Sequence, residues 1–141
     1  MPEKELKVGV WQGTGPPPAY TSTVLIPDVA FREAMAFLTT VQYQHAAGLI
    51  KDVATEGDPT HSVTQSVDAI EGYHELRDKG GILGKINLRI FFYVDKKRFV
   101  LLILGAINKK NEDQTPKSVR IRMKRRLRQY LNGDWKLPLG I

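Results

Sequence analysis

The chain has 141 residues, of which 42% are hydrophobic and 26% charged, and these proportions are typical of a single soluble globular domain. The absence of cysteine excludes disulfides, thiolate metal sites and cysteine nucleophiles, and no apolar run reaches the roughly 20 residues of a membrane-spanning helix. Residues 1–75 carry 4 basic and 10 acidic side chains, whereas residues 76–141 carry 17 basic and 5 acidic ones.

This concentration of positive charge in the second half attracts polyanions, such as nucleic acid, an acidic protein or anionic lipid. A basic surface that only keeps the protein in solution is the alternative interpretation. The N-terminus carries no signal pattern, so we expect a cytoplasmic protein with no membrane role.

The first 23 residues are predicted to be a peripheral extension of one domain that spans residues 24–141. Glycines and a run of three prolines interrupt regular structure there. Val8, Val10 and Trp11 nevertheless favour a short strand that packs on the domain.

The next region is predicted to form one strand and several helices. Thr23–Ile26 favours a strand, and apolar residues at helical spacing predict helices over about 30–41 and 43–56. These two helices would form an antiparallel hairpin. Over 62–76 the apolar spacing again favours a helix, with Tyr73–Leu76 as an alternative short strand.

Two strands and a final helix are predicted in the basic half. Ile86–Val94 and Phe99–Ile107 are rich in β-branched and aromatic residues and flank a polar turn, which predicts a β-hairpin. The second strand lacks alternation, so we expect it at the centre of a sheet, buried on both faces. The final helix is predicted to run to about Leu131, with Thr115 as its cap and Pro116 at its first position.

The final helix contains seven basic residues among twelve, with no acidic residue between them. Val119, Met123, Leu127 and Tyr130 fall on one helical face, so we expect that face to dock on the sheet while the cations face outward. A solvated helix face is the alternative, although such faces usually alternate in sign. The candidate polyanion-binding residues are Lys117, Arg120, Arg122, Lys124, Arg125, Arg126 and Arg128.

The three histidines, at positions 45, 61 and 74, do not have the spacing of a helical metal site, so no metal site is predicted. RNA can be cleaved without a metal when its 2′-hydroxyl attacks the adjacent phosphate and the site supplies proton transfer and positive charge. Strand alternation places Arg89, Phe91 and Tyr93 on one face, a combination suited to holding a phosphate and stacking a base. A core role for Phe91 and Tyr93 is the alternative.

Three segments occur in a distinctive order along the basic half. They are Glu75-Leu76-Arg77 before a glycine turn, Leu88-Arg89-Ile90-Phe91-Phe92 in the hairpin, and Asn108-Lys109-Lys110 followed by Thr115-Pro116. Together they resemble the RelE/HigB superfamily of bacterial toxins, especially its HigB-like, phage-derived branch. The similarity extends over about 71–131 and is weaker over 24–70.

The resemblance implies an α+β fold: a small, twisted, mostly antiparallel sheet with an N-terminal helical hairpin and a C-terminal basic helix. It also implies the toxin of a type II toxin–antitoxin pair, a metal-independent and cofactor-free endoribonuclease that cuts messenger RNA on the ribosome. A cognate antitoxin protein would neutralise it. The alternative is a non-enzymatic protein of the same fold, either a gyrase poison or a phage protein that binds nucleic acid or an antitoxin.

The resemblance also implies roles for individual residues. Arg89 would hold the scissile phosphate, and Arg77, Lys109 and Lys110 would complete the catalytic set. The basic helix would bind messenger or ribosomal RNA. Glu75 stands where some ribosome-dependent relatives carry a catalytic lysine.

Overall fold

The computed structural model describes residues 6–9, 23–56, 58–62, 64–110 and 115–135. Within these residues the strands are β1 Leu6–Gly9, β2 Thr23–Pro27, β3 Ser66–Ala69, β4 His74–Lys79, β5 Asn87–Asp95 and β6 Val100–Asn108. The α-helices are α1 Asp28–Met35, α2 Thr40–Ala54 and α3 Lys117–Leu131, and short 3₁₀ turns occur at Pro59–His61 and Gly81–Leu83.

The six strands form one sheet in the order β1-β2-β6-β5-β4-β3. Every neighbouring pair is antiparallel except β2 and β6, which run parallel. This arrangement confirms the predicted α+β class and the mostly antiparallel sheet. It also confirms the interior position of β6, whose residues Val100–Ala106 are all buried.

The sheet lies between two helical layers. Helices α1 and α2 cover one face, where Leu49 and Val53 share a core with Leu88 and Phe92 of β5. Helix α3 covers the other face with its predicted apolar residues, and Trp135 packs there beside Tyr130. Because both faces of β5 and β6 are covered, neither strand shows the polar alternation of a half-exposed strand.

The predicted helix over 62–76 is wrong, because this region forms the β3–β4 hairpin. Gly72 adopts φ 83° at the turn, and the Ile70 N–H donates to the Tyr73 carbonyl at 2.9 Å. The alternative strand at Tyr73–Leu76 corresponds to the start of β4. The apolar spacing was misleading because β3 is an exposed edge strand in which only Val67 is half-buried.

The break between the first two helices falls earlier than predicted. Helix α2 begins with a capping box, in which the Gln42 N–H donates to Thr39 Oγ1 at 3.2 Å and the Thr39 N–H donates to Gln42 Oε1 at 2.9 Å. This reciprocal pair ends the intervening turn at residue 39 and starts the new helix.

Strand β1 lies at the outer edge of the sheet beside β2. It includes Val8, as predicted, whereas Val10 and Trp11 lie outside the described residues. No helix in the described ranges is both long and apolar enough to cross a bilayer.

Candidate catalytic cleft and nucleic-acid interface

A cleft of about 550 Å³ opens between the β3–β4 hairpin, the start of β5, the end of β6 and the start of α3. Its lining contains four basic residues, three acidic residues and one hydroxyl. These are Arg77, Arg89, Lys109 and Arg120, then Asp68, Glu71 and Glu75, and finally Thr115.

Strand pairing brings the two predicted arginines together. Arg77 of β4 lies directly opposite Arg89 of β5 in the antiparallel register, and Glu75 shares a face with Arg77 because it lies two residues before it. Two guanidinium groups at opposed positions repel each other unless anions lie between or beside them. The carboxylates of the cleft supply that compensation.

Glu75 and Arg89 form a buried ion pair at the base of the cleft. Arg89 Nε lies 3.0 Å from Glu75 Oε1, and the two side chains are only 6% and 9% exposed. Arg89 Nη1 donates to Asn87 Oδ1 and, at 3.2 Å, to the Leu88 carbonyl. The guanidinium is therefore held in one orientation by groups of its own strand and of β4.

Thr115 does not have the capping role predicted for it. Pro116 precedes the first residue of α3, and no side chain caps the helix there. The buried Thr115 hydroxyl instead donates to Glu75 Oε2 at 3.4 Å. It therefore links the start of α3 to the carboxylate of the cleft.

The cations at the rim are also paired. Arg77 Nη2 forms an ion pair with the Asp68 carboxylate, and both side chains are about half exposed. Glu71 lies between Lys124 Nζ, at 2.9 Å, and Arg120 Nη1, at 3.7 Å. The hydrogen bond from Lys124, followed by its charge, lowers the pKa of Glu71, which stays ionised at neutral pH.

The two predicted lysines take different positions. The Lys109 N–H donates to the Asn87 carbonyl at 2.8 Å, and its side chain lines the cleft. Lys110 lines an adjoining cavity, which Lys109 also borders. The structure therefore places Arg77, Arg89 and Lys109 around one cleft and Lys110 outside it.

Arg126 is a correction to the predicted polyanion-binding set. It is buried, and its guanidinium donates to both carboxylate oxygens of Glu33 at 2.9 and 2.8 Å and to the Leu104 carbonyl at 2.8 Å. Glu33 Oε1 also accepts from the Ala106 N–H at 3.3 Å. Arg126 therefore joins α3 to β6 and α1 and presents no donor face to a ligand.

The other six cations of α3 are at least partly accessible. Arg120 and Arg122 are half-buried, and Arg122 Nε lies 3.1 Å from Glu33 Oε2. Lys124 is exposed and bonded to Glu71. The remaining three, Lys117, Arg125 and Arg128, are exposed and form no ion pair with any described residue.

The proposed base-stacking role of Phe91 is wrong. Its ring is 0% exposed and contacts Tyr73 edge-to-face at a centroid distance of 6.1 Å, so no base can reach it. Tyr93 is half-buried and contacts Tyr130 at 6.2 Å. For both residues the structure shows the core role that was the alternative.

Among the residues that line the cleft, the set predicted from the sequence missed Glu75. Alternation in Glu75-Leu76-Arg77 was the available signal, since residues two apart in a strand share a face. The fully buried Tyr73 is not among the described residues that line the cleft, and burial, followed by the nearby Glu71 charge, raises the pKa of its phenol to about 12. Tyr73 thus stays protonated at neutral pH, and the Glu75 carboxylate contacts Arg89 and Thr115.

No protein-family model matches this chain, and no curated protein sequence matches it either.

Proposed function

We propose that this chain is a metal-independent endoribonuclease, the toxin of a type II toxin–antitoxin pair, which cuts single-stranded messenger RNA on the ribosome. The observation that carries the proposal is the cleft that Arg77, Arg89 and Lys109 line together with Glu75, whose carboxylate contacts Arg89. A proton acceptor, a proton donor and two guanidinium groups are what internal attack by a ribose hydroxyl requires.

In the proposed reaction, Glu75 removes the proton of the 2′-hydroxyl, and the 2′-oxygen forms a bond to the adjacent phosphorus. Arg89 and Arg77 compensate the extra negative charge that develops on the phosphate oxygens. The bond from phosphorus to the 5′-oxygen then breaks, and the Lys109 ammonium gives a proton to that oxygen. The products are a 2′,3′-cyclic phosphate and a 5′-hydroxyl.

The existing ion pairs are compatible with phosphate binding at the rim. The half-exposed pair of Arg77 with Asp68 contributes on the order of 1 kcal/mol or less, because solvent screens it. A phosphate accepting two N–H bonds from the same guanidinium is a stronger partner. RNA would therefore displace Asp68 at the rim while Arg89 stays bonded to Glu75 below.

The exposed cations of α3 would hold the RNA beyond the cleft. Helix α3 runs from the cleft, where Arg120 lies, to the β5–β6 hairpin, where Tyr130 donates to Asp95 at 2.8 Å. Its 15 residues extend for about 22 Å. An acidic antitoxin that covers this same surface would block RNA entry.

The decisive experiment compares wild-type protein with Glu75→Gln on messenger RNA bound to ribosomes, with free single-stranded RNA in EDTA as the metal-free arm. The amide keeps the shape of the carboxylate but accepts no proton, so we expect a loss of cleavage rate of about 10²–10⁴-fold. Wild-type protein should leave 2′,3′-cyclic phosphate ends and arrest growth when expressed, and Glu75→Gln should do neither.

The matched control is Arg32→Gln, which removes an exposed charge from α1 on the opposite side of the sheet and should leave cleavage unchanged. A folded Glu75→Gln protein that cuts RNA at the wild-type rate would refute the proposed chemistry.

A second candidate is a non-enzymatic protein that binds nucleic acid, an acidic antitoxin or gyrase. The observation in its favour is that each cleft arginine already faces a carboxylate: Arg77 faces Asp68, Arg89 faces Glu75 and Arg120 faces Glu71. Mapping RNA 5′ ends after expression separates the candidates. New ends within coding regions support the nuclease, and DNA damage without new ends supports a gyrase poison.

A further inference from the structure

A second cavity, also of about 550 Å³, adjoins the cleft and is bordered by four lysines. These are Lys79 at the end of β4, Lys85 before β5, and Lys109 and Lys110 after β6. We call this cavity the lysine pocket. Lys109 borders both the cleft and the lysine pocket, so the two cavities are neighbours.

Glycine turns and hydrogen bonds hold the backbone around the lysine pocket in place. In the β4–β5 loop Gly80 and Gly84 adopt φ 79° and 60°, values that side-chain-bearing residues rarely take. The buried Leu83 anchors this loop, its N–H donating to the Gly80 carbonyl at 3.0 Å. On the other wall the Asn87 N–H donates to Asn108 Oδ1 at 3.0 Å, which fixes the end of β6.

The charge of the lysine pocket differs from that of the cleft. The described residues that line it include no aspartate or glutamate. Within the described part of the chain, no ion pair involves Lys85, Lys109 or Lys110. Several ammonium groups around one cavity repel each other, and a bound anion relieves that repulsion.

We propose that the lysine pocket binds a backbone phosphate of single-stranded RNA next to the phosphate held in the cleft. This inference rests on the proposed function, because the cleft defines which phosphate is adjacent. Lysine suits the task as a point charge that contacts a phosphate oxygen without a fixed geometry. The lysine pocket would thus set the path of the strand, and Lys110 acts in binding rather than in proton transfer.

The test measures binding of a fluorescein-labelled 2′-O-methyl octanucleotide, which lacks the attacking hydroxyl and is therefore not cut. The variant Lys85→Ala/Lys110→Ala is expected to bind about tenfold more weakly at low salt. The slope of log affinity against log salt should fall by about 0.7 for each phosphate that the variant no longer neutralises. Lys85→Arg/Lys110→Arg should restore both values, because it restores the charge.

The matched control is Arg32→Ala/Lys51→Ala, which removes two charges from α1 and α2 and should change the affinity less than twofold. A lysine-pocket variant that binds like this control would overturn the inference. Saturable competition by millimolar inorganic phosphate, beyond its effect as salt, would assign the pocket to a free phosphate ion and also overturn it.

The outcomes for the lysine pocket and for the nuclease are separable because the octanucleotide cannot react. Loss of octanucleotide binding in Lys85→Ala/Lys110→Ala, with no RNA cleavage by the wild-type protein, would keep the phosphate site and reject the nuclease. Normal octanucleotide binding by that variant, with active cleavage by wild type, would reject the site alone.

Discussion

Side chains from both helical layers approach Gly105 closely. It lies in β6 opposite Phe91, and a Cβ atom there would be 2.5 Å from Glu33 Oε1 and 2.5 Å from Met123 Cε. A glycine inside a strand usually weakens it. Here the missing side chain makes room for the pair formed by Glu33 and Arg126.

Gly105→Ala is therefore expected to destabilise the protein by about 1–3 kcal/mol, because the neighbouring side chains must move out of their rotamers. Urea unfolding followed by circular dichroism measures this change. Gly48→Ala in α2 is the control, since a Cβ there meets no atom within 4 Å and alanine favours the helix by up to about 1 kcal/mol. Equal unfolding midpoints for wild type and Gly105→Ala would show that α3 does not approach β6 this closely.

Helix α3 has two adjacent arginines, of which Arg126 is expected to stabilise the fold and Arg125 to bind RNA. Arg126→Ala removes the donors to Glu33 and to the Leu104 carbonyl, which we expect to cost about 3 kcal/mol of unfolding free energy. Arg125→Ala removes an exposed side chain and should change stability by less than about 0.5 kcal/mol while weakening RNA binding. Urea titration and octanucleotide anisotropy on both variants test this division. Comparable destabilisation by the two substitutions would mean that α3 docks through a different face.

Elements with a strong, continuous pattern were predictable from the sequence, and the β3–β4 hairpin was not. Strands β5 and β6 and helix α3 have the predicted order, and their ends fall within a residue or two of those expected. In contrast, β3 is short and mostly exposed, so its own residues show no clear strand pattern. Its pairing with β4 decides its structure.

Which cleft residues lie together was predictable only within a single strand, where alternation decides the side of the sheet on which each side chain lies. Arg77 and Arg89 lie opposite each other because β4 pairs with β5 in one particular register. The sequence alone does not specify that pairing. Lys109 and Lys110 separate because consecutive residues at a strand end point in different directions. The burial of Arg126 depends on Glu33, which lies 93 residues away in the chain.

Across the whole molecule, folding redistributes the charge asymmetry of the sequence. The β3–β4 hairpin brings Asp68, Glu71 and Glu75 from the acidic half into contact with cations of the basic half. The cleft is thus nearly balanced in charge. Among the described residues, cations without a carboxylate partner lie on the outer face of α3, at Lys117, Arg125 and Arg128, and along the lysine pocket, at Lys85, Lys110 and the shared Lys109. If the proposed function holds, we expect attraction of a polyanion and chemistry on it to take place on different surfaces.

This separation predicts that RNA capture and RNA cleavage respond to different substitutions. The triple variant Lys117→Gln/Arg125→Gln/Arg128→Gln removes exposed α3 cations and leaves every cleft contact in place. We expect a higher KM, an unchanged kcat, and a salt slope shallower by about 0.7 for each phosphate that α3 no longer neutralises.

Arg77→Gln should show the reverse, with kcat reduced more than KM is raised, because its guanidinium acts on charge that develops in the transition state. Steady-state kinetics at two or more salt concentrations distinguish these patterns. A triple variant with the wild-type KM and salt slope would show that RNA does not follow α3, and the strand would then have to leave the cleft on the side of the lysine pocket alone.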